Sequence, residues 1–215
     1  MGSGVTVLSA DITQLTEEQV NAGPDGAVGT LLKEAYQSAV WGGEGREQQR
    51  CQAVNRKLLF QVCMVENVSR SRLAQVDEYH VRLAPRKQMV DRVGAGKELV
   101  SSVDVDSDSN QPAADERQAP AVYKLTLQDK SGGLFYAMNV EAIGALKTVM
   151  LGAKLVILPG AVFNRGIFLL TASTVRLLFG LIPSWNGGKE HKVCAYLECL
   201  LEEERVATGS GKRKR

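Results

Sequence analysis

The sequence predicts a mainly β protein: a small five-stranded closed barrel flanked by an N-terminal and a C-terminal helix, with a long insert between its first two strands. Three observations predict it. VYKLTLQD sets Tyr123, Leu125 and Leu127 against Lys124, Thr126 and Gln128, the period-two pattern of a strand with one wet face. LVILPGAVF and GIFLLT flank Asn164, Arg165 and Gly166, two apolar runs about a tight turn. Helical periodicity is confined to the two ends, and a sandwich would need more strands.

Taken in order, residues 1–26 are small and polar, with Gly23, Pro24 and Gly26 close together, and read as a flexible leader. A helical segment over 27–56 follows, in which Val28, Leu31, Leu32, Ala35, Tyr36, Ala39 and Val40 recur at helical spacing until Gly42 and Gly43. The barrel is expected over 57–188. Its first strand is LLFQVCMVENV, apolar and β-branched; VYKLTLQD turns through DKSGG and returns as LFYAMNV. Pro159 cannot donate a ladder hydrogen bond, so it marks an edge or a bulge where a barrel strand bends. STVRLLFG extends or follows the last strand. A helix over 189–206 then places His191, Cys194, Ala195, Leu197, Leu200 and Leu201 on an apolar stripe opposite Lys192, Glu198 and Glu202, before a basic tail at 207–215.

Composition narrows the function. The chain has 215 residues, 26 basic and 24 acidic, a net charge of +2 that excludes wholesale electrostatic capture of nucleic acid or membrane. Lys154, Asn164 and Arg165 cut the greasy stretch from Gly152 to Leu170 well below the roughly 20 apolar residues of a spanning helix. The N-terminus lacks the basic-then-apolar order of a secretory signal. Cys51, Cys63, Cys194 and Cys199 show no CxxC spacing, so a reducing compartment is expected.

Residues 83–120 form the insert, far longer than an ordinary barrel loop. Its first half interleaves Arg86, Lys87, Arg92 and Lys97 with Met89, Val90, Val93, Leu99 and Val100, a mixture that can order on a partner. Its second half carries Asp104, Asp106, Asp108, Asp115 and Glu116 among Ser, Asn and Pro, and reads as a solvated spacer.

Catalytic signatures fail one by one. His80 and His191 are the only histidines, and no nucleophile and acid stand near either in a recognisable pattern. His191, Cys194 and Cys199 could offer two zinc ligands within a turn, but a structural site wants four, so core packing of the two cysteines is expected. DVDSDSN lacks the glycine and closing glutamate of a calcium loop. ATGSGKRKR misses a phosphate-binding loop at Val206 and Arg213; Lys212, Arg213, Lys214 and Arg215 instead make a basic tail suited to nuclear import or phosphate contact. Base stacking on the sheet needs exposed aromatics, and of Phe60, Tyr123, Phe135 and Tyr136 the alternation exposes only Phe135 or Tyr136.

These stretches resemble the RecQ-mediated genome instability protein 1 family. LFQVCMVENVSRSRLAQV is similar to that family's first barrel strand and the short helical turn after it. GAKLVILPGAVFNRGIFLLTASTVRLLFG resembles its final hairpin, with a Gly-x-Lys opening, and Val122 to Val140 fits its middle strands. The resemblance covers about residues 28–205. It implies an oligonucleotide/oligosaccharide-binding (OB) barrel that is a non-catalytic partner of topoisomerase III and a RecQ-family helicase in dissolving double Holliday junctions, within DNA repair and homologous recombination. It also implies that the insert between the first two strands reaches into the topoisomerase gate. The family's N-terminal helical bundle is reduced here to one helix, the chain ends before a second barrel, and Phe179 and Gly180 stand where a Gly-Gly pair is common.

The expectation is therefore a nuclear interaction protein, not an enzyme, without cofactor, metal, membrane or small-molecule substrate. It meets DNA mostly through its complex, and Arg86, Lys87, Met89, Val90, Arg92, Val93, Lys97 and Leu99 contact the topoisomerase. The alternatives are a stand-alone single-strand-binding module and, from the same kind of barrel, an adaptor that reads methylarginine through another domain.

Overall fold

The computed structural model describes residues 17–21, 26–42, 45, 48–84, 120–178 and 180–210. They fall into two compact units, one made by the chain up to Ser69 and by Pro120–Lys189, the other by the chain from Arg70 and from Glu190 onward.

The first unit holds helices α1 (Glu17–Asn21) and α2 (Ala27–Gln37) and one sheet of eight segments. These are β1 (Gln52–Ala53), β2 (Leu58–Asn67), β3 (Tyr123–Gln128), β4 (Leu134–Asn139), β5 (Lys154–Ile157), β6 (Val162–Asn164), β7 (Ile167–Leu170) and β8 (Val175–Leu177), in the order β1-β6-β7-β4-β3-β2-β5-β8. The expected five strands become seven because each run of the last hairpin is broken in two, and the eighth, β1, lies within the stretch expected to be helical, where Gln52 and Ala53 pair with β6. LVILPGAVF bends at Pro159 and Gly160, so β5 pairs with β2 and β8 while β6 pairs with β7 and β1. Only Leu158–Ala161 link β5 to β6, so Ile157 and Val162 are at most about 18 Å apart, two distant places in the sheet order are drawn together and the sheet curls. The predicted turn closes β6 and β7: Arg165 and Gly166 take φ of 49° and 86°, the left-handed pair of a two-residue hairpin.

Alternation sorts the core. Phe60, Val62, Leu125, Leu127, Phe135, Ala137, Leu155, Ile157, Phe163 and Phe168 point into the curl and are buried, the side chains larger than alanine each contributing about 1.5–3 kcal/mol. In β2 the register shifts between Val62 and Met64, and the parity of the inward positions changes there. The other face of β2 and β5 is covered as well, by α2 at Leu59 and Val156 and by Trp185 of α4 (Pro183–Asn186) at Cys63. That two-sided burial makes the strand read as a continuous apolar run. It also corrects the wet face expected for β3: Thr126 and Gln128 are buried, and only Lys124 stays partly open.

Two N-terminal expectations change. A helix, α1, lies within the stretch read as a leader, and its Val20 is buried with Leu32 and Ala35 of α2. α2 ends at Gln37, with Ser38 donating its backbone N–H to Glu34 O, so Ala39 and Val40 lie beyond the helix and are exposed. The chain then turns inward to Trp41, whose ring stands 5.5 Å from Phe163 and 5.8 Å from Phe168 in the core. Arg56 holds this approach by donating to Ala39 O and Val40 O, and Lys130 by donating to Tyr36 O and Ser38 O.

Gly152 and Gly180 are set back to back. Gly152 has φ +90° and Gly180 φ +122°; a Cβ on Gly180 would meet Gly152 O at 2.8 Å. The glycine of the Gly-x-Lys opening is thus a close-approach residue, and Gly180 supplies the matching one.

The second unit contains α3 (Arg72–Leu83) and most of α5 (Lys189–Ser210). α3 is capped by Ser71, whose Oγ accepts from Ala74 N. It has 12 residues, a full helix where the resemblance implied a short turn.

Candidate interaction site at the insert

β2 and β3 are joined by α3 and the insert, and the barrel grips both ends of that excursion. Asn67 stands opposite Tyr123, and Val68 N–H donates to Val122 O at 2.9 Å. Asn67 Oδ1 accepts from Ser69 N and Oγ, turning the chain away from the strand. On return, the buried Asn139 amide clamps the incoming chain: its Oδ1 accepts from Tyr123 N at 2.6 Å, and its Nδ2 donates to Ala121 O and Glu141 O. Polar satisfaction at a buried amide makes this exit rigid.

The outer face beside the clamp is mixed. Val68 and Val140 are exposed at the strand ends, Glu66 pairs with Lys124 at 3.3 Å, and Lys124 Nζ stands 4.6 Å over the Tyr136 ring. Of the two aromatics that alternation could expose, Phe135 is buried and Tyr136 is half-buried beneath that lysine. A row of stacking aromatics is not formed among the described residues.

In the second unit α3 and α5 run antiparallel, joined by Arg72 to Glu204, His80 to Glu198 at 2.7 Å and Arg82 to Glu190 at 2.9 Å. Arg70 and Arg82 also flank Glu78, and the Arg70 hydrogen bond leads in holding its carboxyl below the usual range. The apolar stripe expected on α5 is corrected here: the buried positions are Val193, Cys194 and Leu197, while His191, Ala195 and Cys199 are exposed. Core packing therefore holds for Cys194 and not for Cys199. Glu198 is not opposite His191 and Cys194 but beside them, since steps of three and four residues return to one face of a helix. The sequence reading missed His80 and Glu198 as neighbours of Cys194. The H-x-x-C-x-x-x-E spacing was the available signal.

The predicted contact residues Arg86, Lys87, Met89, Val90, Arg92, Val93, Lys97 and Leu99, and the tail Lys212, Arg213, Lys214 and Arg215, lie outside the described residues. Cys63, a conceivable nucleophile, is buried, and burial pushes its thiol up to about 12, which keeps it protonated and inert. Among the described residues no helix is long and apolar enough to cross a membrane.

A curled sheet whose bent strand closes on the first, carrying flanking helices and an insert held between β2 and β3, defines an OB-fold protein. The family model for the RMI1 N-terminal OB-fold domain matches residues 43–193. RecQ-mediated genome instability protein 1 of Saccharomyces cerevisiae (strain ATCC 204508 / S288c) is 37% identical over 236 residues, covering 98% of this chain and 97% of the relative. The chain belongs to the RecQ-mediated genome instability protein 1 family, and a role in genome stability follows from that membership.

Proposed function

We propose that the chain is a non-catalytic subunit of a RecQ helicase and topoisomerase III complex, which binds the topoisomerase and modulates strand passage during decatenation and double Holliday junction dissolution. The observation that supports this best is the clamped excursion of α3 and the insert between β2 and β3, in a member of this family: it leaves the sheet at the Val68–Val122 pair, and the insert's return is held by Asn139. An insert that touches only the open gate shifts the gate equilibrium by its differential affinity for the two states. No chemistry by this chain is needed. Arg86, Lys87, Met89, Val90, Arg92, Val93, Lys97 and Leu99 are the proposed contact, the basic tail serves nuclear import or phosphate contact, and DNA is met mostly through the complex in the nucleus.

Deleting residues 84–119 tests the reading. The barrel should stay folded while stimulation of topoisomerase III decatenation is lost; undiminished stimulation overturns it. Stand-alone single-strand binding is less favoured because Phe135 is buried and Tyr136 is half-covered. Filter binding by the isolated chain at two salt concentrations separates the readings, since a stand-alone binder is tight and steeply salt-dependent.

A further inference from the structure

We propose that His80, Cys194 and Glu198 form a binding site for a divalent transition metal of the zinc type. His80 comes from the last turn of α3, and Cys194 and Glu198 from one face of α5. Their ligand atoms lie within 4.8 Å of one another. Imidazole nitrogen, thiolate sulfur and carboxylate oxygen are the three ligand types zinc uses, and the thiolate disfavours magnesium and calcium.

The geometry needs little adjustment. Bonds of about 2.0–2.3 Å in a tetrahedral site put ligand atoms roughly 3.3–3.8 Å apart. His80 Nε2 and Glu198 Oε1 stand at 2.7 Å, so they must open slightly; both side chains are about half exposed, which leaves them free to do so. Cys194 is buried beneath them, giving the site a shielded floor. A simple His–Glu ion pair would not require a thiol in the same cluster.

The cluster also faces open space. A cavity of about 590 Å³ is lined by His80, Leu83 and Ala84 from the end of α3 and by His191, Cys194 and Glu198 from α5. His191, one turn before Cys194, lines the same wall and is the proposed fourth ligand. A bound ion would staple α3, at the end from which the insert departs, to α5. The site can be tested on the chain alone, so failure of the topoisomerase reading leaves it standing.

Cobalt(II) titration of the full chain is the test, read by the thiolate-to-cobalt charge-transfer band and the visible d–d bands. One equivalent should bind, and excess zinc should bleach the signal. Cys194→Ser should remove the charge-transfer band, whereas Cys199→Ser, at the exposed cysteine of the same helix, should keep it. His80→Ala and Glu198→Gln should each weaken binding by more than about ten-fold, because even residues that only support metal ligands are worth that much. His80 is exposed, so its variant carries the test should Cys194→Ser fail to fold. A folded wild-type chain without a charge-transfer band, or a band that survives Cys194→Ser, overturns the site. An unchanged affinity in His191→Ala overturns the fourth ligand.

Discussion

Lys154 Nζ stands 2.5 Å from Gln61 Oε1 across the β2–β5 pair, and both side chains are buried. The ammonium also donates to Gly152 O at 3.2 Å. Burial pulls its pKa down to about 8, partly offset by Cys63. The unfolded lysine keeps its proton up to about 10.4, so above about pH 8 the unfolded state binds more protons than the folded one and stability rises with pH. Cys63 acts in the opposite sense as the unfolded thiol starts to ionise near pH 9 while the buried one keeps its proton, and so offsets part of the gain. Unfolding midpoints in urea should therefore rise from pH 7.5 to pH 8.5, by roughly 0.5 kcal/mol. Gln61→Leu should cost about 1–3 kcal/mol by stripping a partner from a buried charge. Adding Lys154→Met should recover most of that loss and flatten the pH dependence; a flat wild-type profile would contradict the arrangement.

Gly180→Ala should destabilise the barrel by about 2 kcal/mol or more. The new Cβ meets the Gly152 carbonyl, which is backbone and cannot swing aside, at a φ that side chains rarely adopt. Chemical denaturation measures it, with Gly188→Ala as a comparison that has open space around its Cβ though φ is also positive.

Trp41→Ala should cost about 3–5 kcal/mol, as for other large buried aromatics. At about 2–4 °C per kcal/mol for a chain of this size, the thermal midpoint should fall by roughly 10 °C. A fall of only a degree or two would mean that the segment after α2 is not part of the core.

Asn139→Ala should release the insert's return. Tyr123 N–H loses its acceptor and Ala121 O its donor, so amide exchange at Tyr123 should accelerate while that of Leu125 and Leu127 stays slow. Uniform acceleration along β3 would mean a global effect and not a local clamp.

The ladder between α3 and α5 should be weak taken pair by pair. Arg72, Glu204, Arg82 and Glu190 are roughly half exposed, so Arg72→Ala or Glu190→Gln should change unfolding stability by less than about 1 kcal/mol, and less still at high salt.

What the sequence by itself determined is what local rules govern. The alternation of Leu125 and Leu127, the turn at Arg165 and Gly166, the bend at Pro159 and the helical ends follow from side-chain period and backbone preference, while the family came from the resemblance of the first strand and the final hairpin. Tertiary structure decided what depends on covering a face. Lys154 interrupts an apolar run and reads as a surface break, yet it is buried because Gln61 Oε1, from a strand distant in sequence, accepts a hydrogen bond from its ammonium. Thr126 and Gln128 look solvent-facing and are buried. The bend at Pro159 makes two segments, β5 and β6, of one expected strand, because each half finds different partners. Cys194 and Glu198 share a face of one helix by spacing alone, but His80 joins them only when two helices far apart in the chain run antiparallel. Period and turn chemistry act within a few residues, whereas burial of a charge or convergence of ligands is set by segments that sequence spacing does not connect.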